Sequence, residues 1–260
     1  MYAEKQSYYK EALSHGRTVR TGIAEDVLRQ IKEGRFIVYF QPQVDIRTQE
    51  LVGAEALIRK IGPGGSIIMP QNFIPYYEIE GIVRHVDLYV LETACAAISQ
   101  WRKEQIPMHV SVNFSRVTLM ERNIVNHILD ICNRYDVLPS WITIEVTESA
   151  GKMKQEELLA LVNRLTKAGF VISLDDFGTK YSNLSILTAM NFNEVKLDKS
   201  LVDGLADNHN SKVILKNAIQ MCNDLESTHA WQKELKRKNS CICCPNTHVN
   251  TARDICFQNR

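Results

Sequence analysis

Residues Phe170-Val171-Ile172-Ser173-Leu174-Asp175-Asp176-Phe177-Gly178 place two adjacent carboxylates at the end of a strongly apolar run. The run reads as a buried strand. Burying an ionised carboxylate without a partner is costly. A doublet at the tip of a core strand therefore points to a divalent metal, with a surface turn as the plainer alternative.

Four further segments carry the same kind of group. Val52 to Arg59 holds Glu55, and His109 to Ser115 presents Asn113. Trp141 to Glu148 alternates and presents Glu145, Thr147 and Glu148, and Glu194 to Asp198 presents Lys196 and Asp198. Side chains alternate faces along a strand, so Glu145 shares a face with Thr147 and Lys196 with Asp198. Five strands offering acid, amide or ammonium groups imply one shared polar site.

These residues resemble the EAL domain, the bacterial cyclic-di-GMP phosphodiesterase domain, whose name is spelled by Glu55-Ala56-Leu57. The resemblance runs in order from Tyr39-Phe40-Gln41-Pro42 to about Leu225. It takes in Phe73-Ile74-Pro75, Ser111-Val112-Asn113-Phe114-Ser115, Glu145-Val146-Thr147-Glu148-Ser149, Asp175-Asp176-Phe177-Gly178-Thr179 and Lys196-Leu197-Asp198-Lys199-Ser200. Any one motif is weak; together and in order they are specific.

Strand-like segments near 36–43, 51–59, 108–114, 141–147, 169–175 and 194–198 alternate with helical ones near 70–79, 83–104, 117–136, 153–168, 183–190 and 211–225. Repeated strand–helix units imply an α/β fold with a parallel sheet. The resemblance implies a TIM-type (β/α)8 barrel whose first strand runs in an atypical direction. Barrel active sites lie at the C-terminal ends of strands, where these polar residues fall.

The resemblance also implies the chemistry. Two divalent metals, Mg²⁺ or Mn²⁺, would serve hydrolysis of cyclic-di-GMP to linear pGpG. Glu55, Asn113, Glu145 and Asp175 would hold one metal, and Asp176 and Asp198 the second. Lys196 would orient the attacking water, and Glu148 would brace the loop after Asp176. Gln41 and Arg59 would contact the nucleotide, a guanidinium suiting a phosphate. Plainer readings stand beside these: an ion pair of Glu55 with Arg59, Asn113 as a turn former, and Lys196 with Asp198 as a strand-edge pair. Lys180 stands where the family has Gly, and Asn183 where it has Ser, which bears on the loop after the Asp-Asp doublet.

Composition sets outer bounds. The 260 residues are 45% hydrophobic with net charge +1, which describes a globular chain and gives no electrostatic case for a nucleic-acid polymer. No apolar run approaches the roughly 20 residues of a membrane helix. The polar start carries no export signal, so a cytoplasmic setting with reduced thiols is expected, the parent protein being attachable to a membrane through upstream segments. Cys95, Cys132 and Cys222 lie in apolar helical patterns and read as core. Residues 1–20 read as the remnant of an upstream domain or a linker helix, Met1-Tyr2-Ala3-Glu4-Lys5 resembling the end of a GGDEF domain. Residues 21–226 form the EAL domain, which the resemblance associates with a homodimer.

Beyond Leu225 the pattern collapses. Residues 227–260 show neither strand nor helix period, so a disordered tail and a barrel lacking its last two strands are expected. The missing motifs lie in another reading frame. Read from each codon's third base, permitted codons for Ala230 to Ser240 allow Val-Ala-Glu-Gly-Val-Glu-Thr-Lys-Glu-Gln. The same shift across Ala252 to Arg260 allows Gln-Gly-Tyr-Leu-Phe-Ser-Lys-Pro. A frameshift between about Leu225 and Ala230 accounts for both. It also accounts for Cys241, Cys243, Cys244, His248 and Cys256, which mimic a zinc cluster without the spaced pairs of a knuckle. Three functional readings follow: a phosphodiesterase with impaired turnover, a non-catalytic cyclic-di-GMP-binding module, or the inactive product of a disrupted gene.

Overall fold

The computed structural model describes residues 16–44, 50–147, 155–178, 186–187, 190, 192–198, 209–224, 229–232 and 248–249. Helix α1 (Gly16–Lys32) leads into an antiparallel pair, β1 (Phe36–Val44) and β2 (Leu51–Ile61). The short β3 (Ile67–Ile68), α2 (Ile74–Ile79) and α3 (Val83–Lys103) follow. Then come β4 (His109–Asn113), α4 (Arg116–Leu119), α5 (Ile124–Arg134), β5 (Ile142–Thr147), α6 (Gln155–Lys167), β6 (Val171–Phe177), β7 (Glu194–Leu197) and α7 (His209–Asp224). Two short strands close the series, β8 (His229–Gln232) and β9 (His248–Val249).

The six strands expected from sequence are β1, β2 and β4 to β7. Strands β2, β4, β5, β6 and β7 pair in parallel in that order, and β1 runs against β2. The first strand is therefore the atypical one. Helix α1 stops where Gly34 takes φ +70, a left-handed conformation that costs glycine little. The expected helix at 117–136 is two helices. Asn123 leaves helical geometry at φ −110, separating α4 from α5, while the apolar spacing of Leu119, Ile124 and Ile128 runs on across the break.

Both faces of the central strands are buried, and the alternation sorts them. Val110 and Val112, Ile142 and Ile144, Ile172 and Leu174, and Val195 and Leu197 belong to the apolar core, each among the least exposed residues of the chain. Helices α3 and α5 contribute Val83, Val86, Leu91 and Cys95, and Ile124, Ile128 and Cys132. Each such aliphatic side chain contributes about 1.5–3 kcal/mol by leaving water. Their strand neighbours Ser111, Thr143, Glu145, Ser173, Asp175 and Lys196 are equally buried but polar.

Six residues of the tail, expected to be unstructured, pair as strands. β8 pairs in parallel with β7, β9 with β8, and Val44 of β1 with Val249, so the neighbour order runs from β1 through β9 and back to β2 and β1. The physical reason is that β7 offers a row of backbone donors and acceptors, and ladder bonds form without reference to the side chains. The replacement is thin: four and two residues, joined to β1 by one register pair, against nine pairs between β1 and β2. The cysteines at 241, 243, 244 and 256 lie outside the described residues.

Candidate active site

β2 and β7 are four places apart in the sheet. In a flat sheet they would be about 19 Å apart, at about 4.8 Å per strand. Yet Lys196 Nζ on β7 donates to Glu55 Oε2 on β2 at 3.0 Å. The same ammonium donates to Glu145 Oε1 on β5. The sheet is therefore curled, and these polar side chains face its concave interior.

Glu55 lies opposite Gln41 of β1 and Ser111 of β4, and its second oxygen, Oε1, accepts from Asn113 Nδ2 at 3.0 Å. Asn113, the last residue of β4, is in register with Glu145, and Asp175 of β6 with Thr147 at the end of β5. The parallel register thus brings the four expected ligands of the first metal to one end of the sheet. The plain alternatives for three residues give way: Asn113 and Lys196 both bond Glu55, which is held from two sides.

The cluster is dry. Glu145 and Lys196 are 0% exposed, Asp175 1% and Glu55 5%. Burial, then the neighbouring charge of Glu55, pushes the Glu145 carboxyl above the usual carboxylate range, with Lys196 opposing and Asp175 adding to the shift. Burial would lower the Lys196 ammonium, but the carboxylates of Glu145, Glu55 and Asp175 outweigh it and hold it charged. Among the described residues, Glu145 Oε2 is buried without a hydrogen-bond partner. Such an oxygen is costly unless something cationic or hydrogen-bonding meets it.

The second group of expected ligands lies just beyond. Asp176 has φ +57, a left-handed conformation uncommon for a residue with a side chain and frequent at functional sites. It sits in an irregularity of the β6–β7 pairing between Leu174 and Phe177. The backbone N–H of Asp198 donates to Phe177 O at 2.8 Å, tying the ends of the two strands together. Arg59 lies further along β2, where its Nη1 donates to Ile58 O at 2.8 Å. Glu148, Lys180 and Asn183 lie outside the described residues.

Beneath the carboxylates lies a polar layer that the motif reading passes over. Ser173, the register partner of Glu145 and Glu194, is 0% exposed. Gln43 reaches from β1 to within 3.4 Å of Ser111 Oγ. Gly53 makes room for it: a Cβ there would come within 2.9 Å of His109 O and 3.1 Å of Gln43 Oε1. Period-two spacing was the available signal, since Ser111, Thr143 and Ser173 each precede an expected ligand by two positions.

The donor set fits a hard divalent cation: acid and amide oxygens from separate strands, with Glu145 Oε2 unsatisfied among the described residues. Among the described residues, no three His, Cys, Asp or Glu side chains are drawn together closely enough to hold a metal as they stand. The cation that Glu55 and Glu145 meet is the Lys196 ammonium.

A sequence model described as the EAL domain matches residues 24–228. The signaling protein YkoW of Bacillus subtilis (strain 168) is 31% identical over 255 residues, covering 93% of this chain and 32% of its own length. The bifunctional diguanylate cyclase/cyclic di-GMP phosphodiesterase MucR of Pseudomonas aeruginosa is 25% identical over 209 residues, covering 80% of this chain and 30% of its own. The chain thus spans about a third of the length of these curated relatives. Among solved structures, the PaMucR phosphodiesterase in complex with c-di-GMP superposes with a TM-score of 0.75 at 26% identity, covering 83% of this chain and 87% of that one. No described helix is long and apolar enough to cross a membrane.

Proposed function

The chain belongs to the EAL domain family, and on that premise we propose that it hydrolyses cyclic-di-GMP to the linear dinucleotide, with turnover reduced by an out-of-frame tail. The observation that carries this reading is the buried junction of Glu55, Asn113, Glu145 and Lys196 at the end of the parallel strands.

Bound Mg²⁺ or Mn²⁺ supplies an activated water and neutralises charge on the phosphodiester. Glu55, Asn113, Glu145 and Asp175 would hold one ion, and Asp176 and Asp198 the other. Lys196, kept protonated by its carboxylate neighbours, holds the attacking water by hydrogen bonding and keeps Glu55 and Glu145 apart. Gln41, opposite Glu55, and Arg59 would contact the nucleotide, the guanidinium being suited to a phosphate oxygen. The apolar surroundings exclude bulk water, which strengthens each of these interactions.

The reduction in turnover rests on the tail. β8 has the sequence His229-Ala230-Trp231-Gln232, with no carboxylate. In the shifted frame the codons from Trp231 to Lys236 allow Ala-Glu-Gly-Val-Glu, which brings two. The family match ends at residue 228, beside the position inferred for the shift. The nucleotide sequence tests this directly: one deleted base, or two inserted, between the codons for Leu225 and Ala230 is expected.

The lack of an acid on β8 also favours a second reading, a module that binds cyclic-di-GMP without cleaving it. Purified protein incubated with cyclic-di-GMP and Mn²⁺ separates the two. Slow formation of linear product supports the hydrolase; binding without product supports the receptor.

A further inference from the structure

Asp87 is a buried carboxylate outside the motifs, 6% exposed on the otherwise apolar inner face of α3. Its Oδ2 accepts two hydrogen bonds, one from the backbone N–H of Ser115 at 3.0 Å and one from the Thr118 hydroxyl at 2.6 Å. Both donors follow Asn113 closely, Ser115 in the turn and Thr118 in the helix α4 that the turn begins. Ser115 caps α4, its own hydroxyl accepting from the Val117 N–H at 3.1 Å. Between them, Phe114 N–H donates to Glu145 O at 3.3 Å.

The turn after Asn113 is thus fixed on two sides. β5 holds it through Glu145, and α3 holds it through Asp87. Helix α3 is a rigid support, because Val83, Val86, Val90 and Leu91 around Asp87 are all buried in the core. Asn113 lies two residues from the atom that Asp87 grips. Its amide must face Glu55 to complete the junction, and a small shift of the turn would misplace it.

We propose that Asp87 is a positioning residue for the metal site: it anchors the turn after β4 and so sets the amide of Asn113 against Glu55. The proposal rests on the assignment of Asn113 and Glu55 as ligands. Partners of this kind, one shell removed from a metal, typically alter affinity about 10- to 100-fold when lost.

The test measures Mn²⁺ binding directly, from the electron paramagnetic resonance signal of free Mn²⁺, with circular dichroism verifying the fold. Asp87→Ala is expected to weaken Mn²⁺ binding at least about 10-fold. Asp87→Asn, which keeps an acceptor oxygen, should remain within about 3-fold of the parent, and Thr118→Val, which removes one of two anchors, should fall between. Asn113→Ala is the control for the ligand assignment. Weakened binding in Asn113→Ala with parental binding in folded Asp87→Ala would overturn the positioning role alone. Should Asp87→Ala fail to fold, parental binding in Thr118→Val would overturn it. Unchanged binding in Asn113→Ala, or none in the parent, would overturn the ligand assignment and this proposal with it.

Discussion

Lys196 and Glu55 lie 141 positions apart in the chain, and the ammonium of one donates to the carboxylate of the other at 3.0 Å inside the curled sheet. The same ammonium also reaches Glu145. Three fully or nearly fully buried charged groups are mutually dependent: removing the cation leaves two carboxylates facing one another without water.

Lys196→Met should therefore cost more than a lost hydrogen bond. Removing one partner of a buried ion pair costs about 3–5 kcal/mol, because the remaining charge is uncompensated. Excess Mn²⁺ should recover part of that loss by acting as the missing cation, more than it stabilises the parent. Urea denaturation midpoints in EDTA and in MnCl2, for parent and variant, check this. Equal Mn²⁺ effects on both would contradict it.

Asp87 gives the pH dependence. Burial pushes its carboxyl up to about 7, with the Thr118 and Ser115 hydrogen bonds opposing and the charge of Glu78 adding. An unfolded aspartate titrates near about 3.9, so between these values the folded state binds the extra proton. The contribution is fully present below about pH 4, is lost as pH rises toward 7, and is constant above. Asp87→Asn should flatten the fall in melting temperature between pH 4 and 7. A variant whose profile matches the parent's would contradict the assignment.

Cys95 and Cys132 join α3 to α5 with their sulfurs 4.0 Å apart and both residues 0% exposed. Their shared hydrogen bond, then burial, raises the Cys95 thiol; the same bond lowers the Cys132 thiol against burial, and burial keeps both sulfurs from reagent. Both should resist iodoacetamide in the native protein and react together as urea unfolds it, as read by mass spectrometry of the two peptides. Native-state labelling of either would show that this part of the core opens independently.

Restoring the frame after Leu225 should raise stability as well as turnover. β9 meets β1 at a single register pair, so a longer last strand adds ladder bonds and buried area to a margin that is about 5–15 kcal/mol in ordinary domains. The urea midpoint of the restored protein should exceed that of the present chain. An unchanged midpoint would mean that the present tail already serves.

Most of the framework was legible because parallel strands buried on both faces announce themselves twice, by apolar runs and by polar residues at period two. That pattern located Glu55, Asn113, Glu145, Asp175 and Lys196, and their register neighbours followed. It gave the face of Lys196 but not its partners, because the curl that brings β7 to β2 is a property of the whole sheet. Asp87 went unread: one carboxylate among Val83, Val86 and Val90 looks like a helix position facing water until Ser115 and Thr118 are placed over it. The strand carrying Asp175 was expected to end there but runs to Phe177, since the left-handed turn at Asp176 bends the pairing without ending it. The tail was read from its missing apolar period, which is blind to backbone pairing, so β8 and β9 were missed.

The most direct test of the site is turnover of cyclic-di-GMP with Mn²⁺, followed by chromatography of the linear dinucleotide. It compares the present chain, the frame-restored chain and the frame-restored Glu55→Ala variant. Product from the restored chain, at least tenfold less from the present one (about 1.4 kcal/mol in the barrier) and none from the variant is the expected result. No product from the folded, restored protein, or product undiminished by Glu55→Ala, would contradict the account.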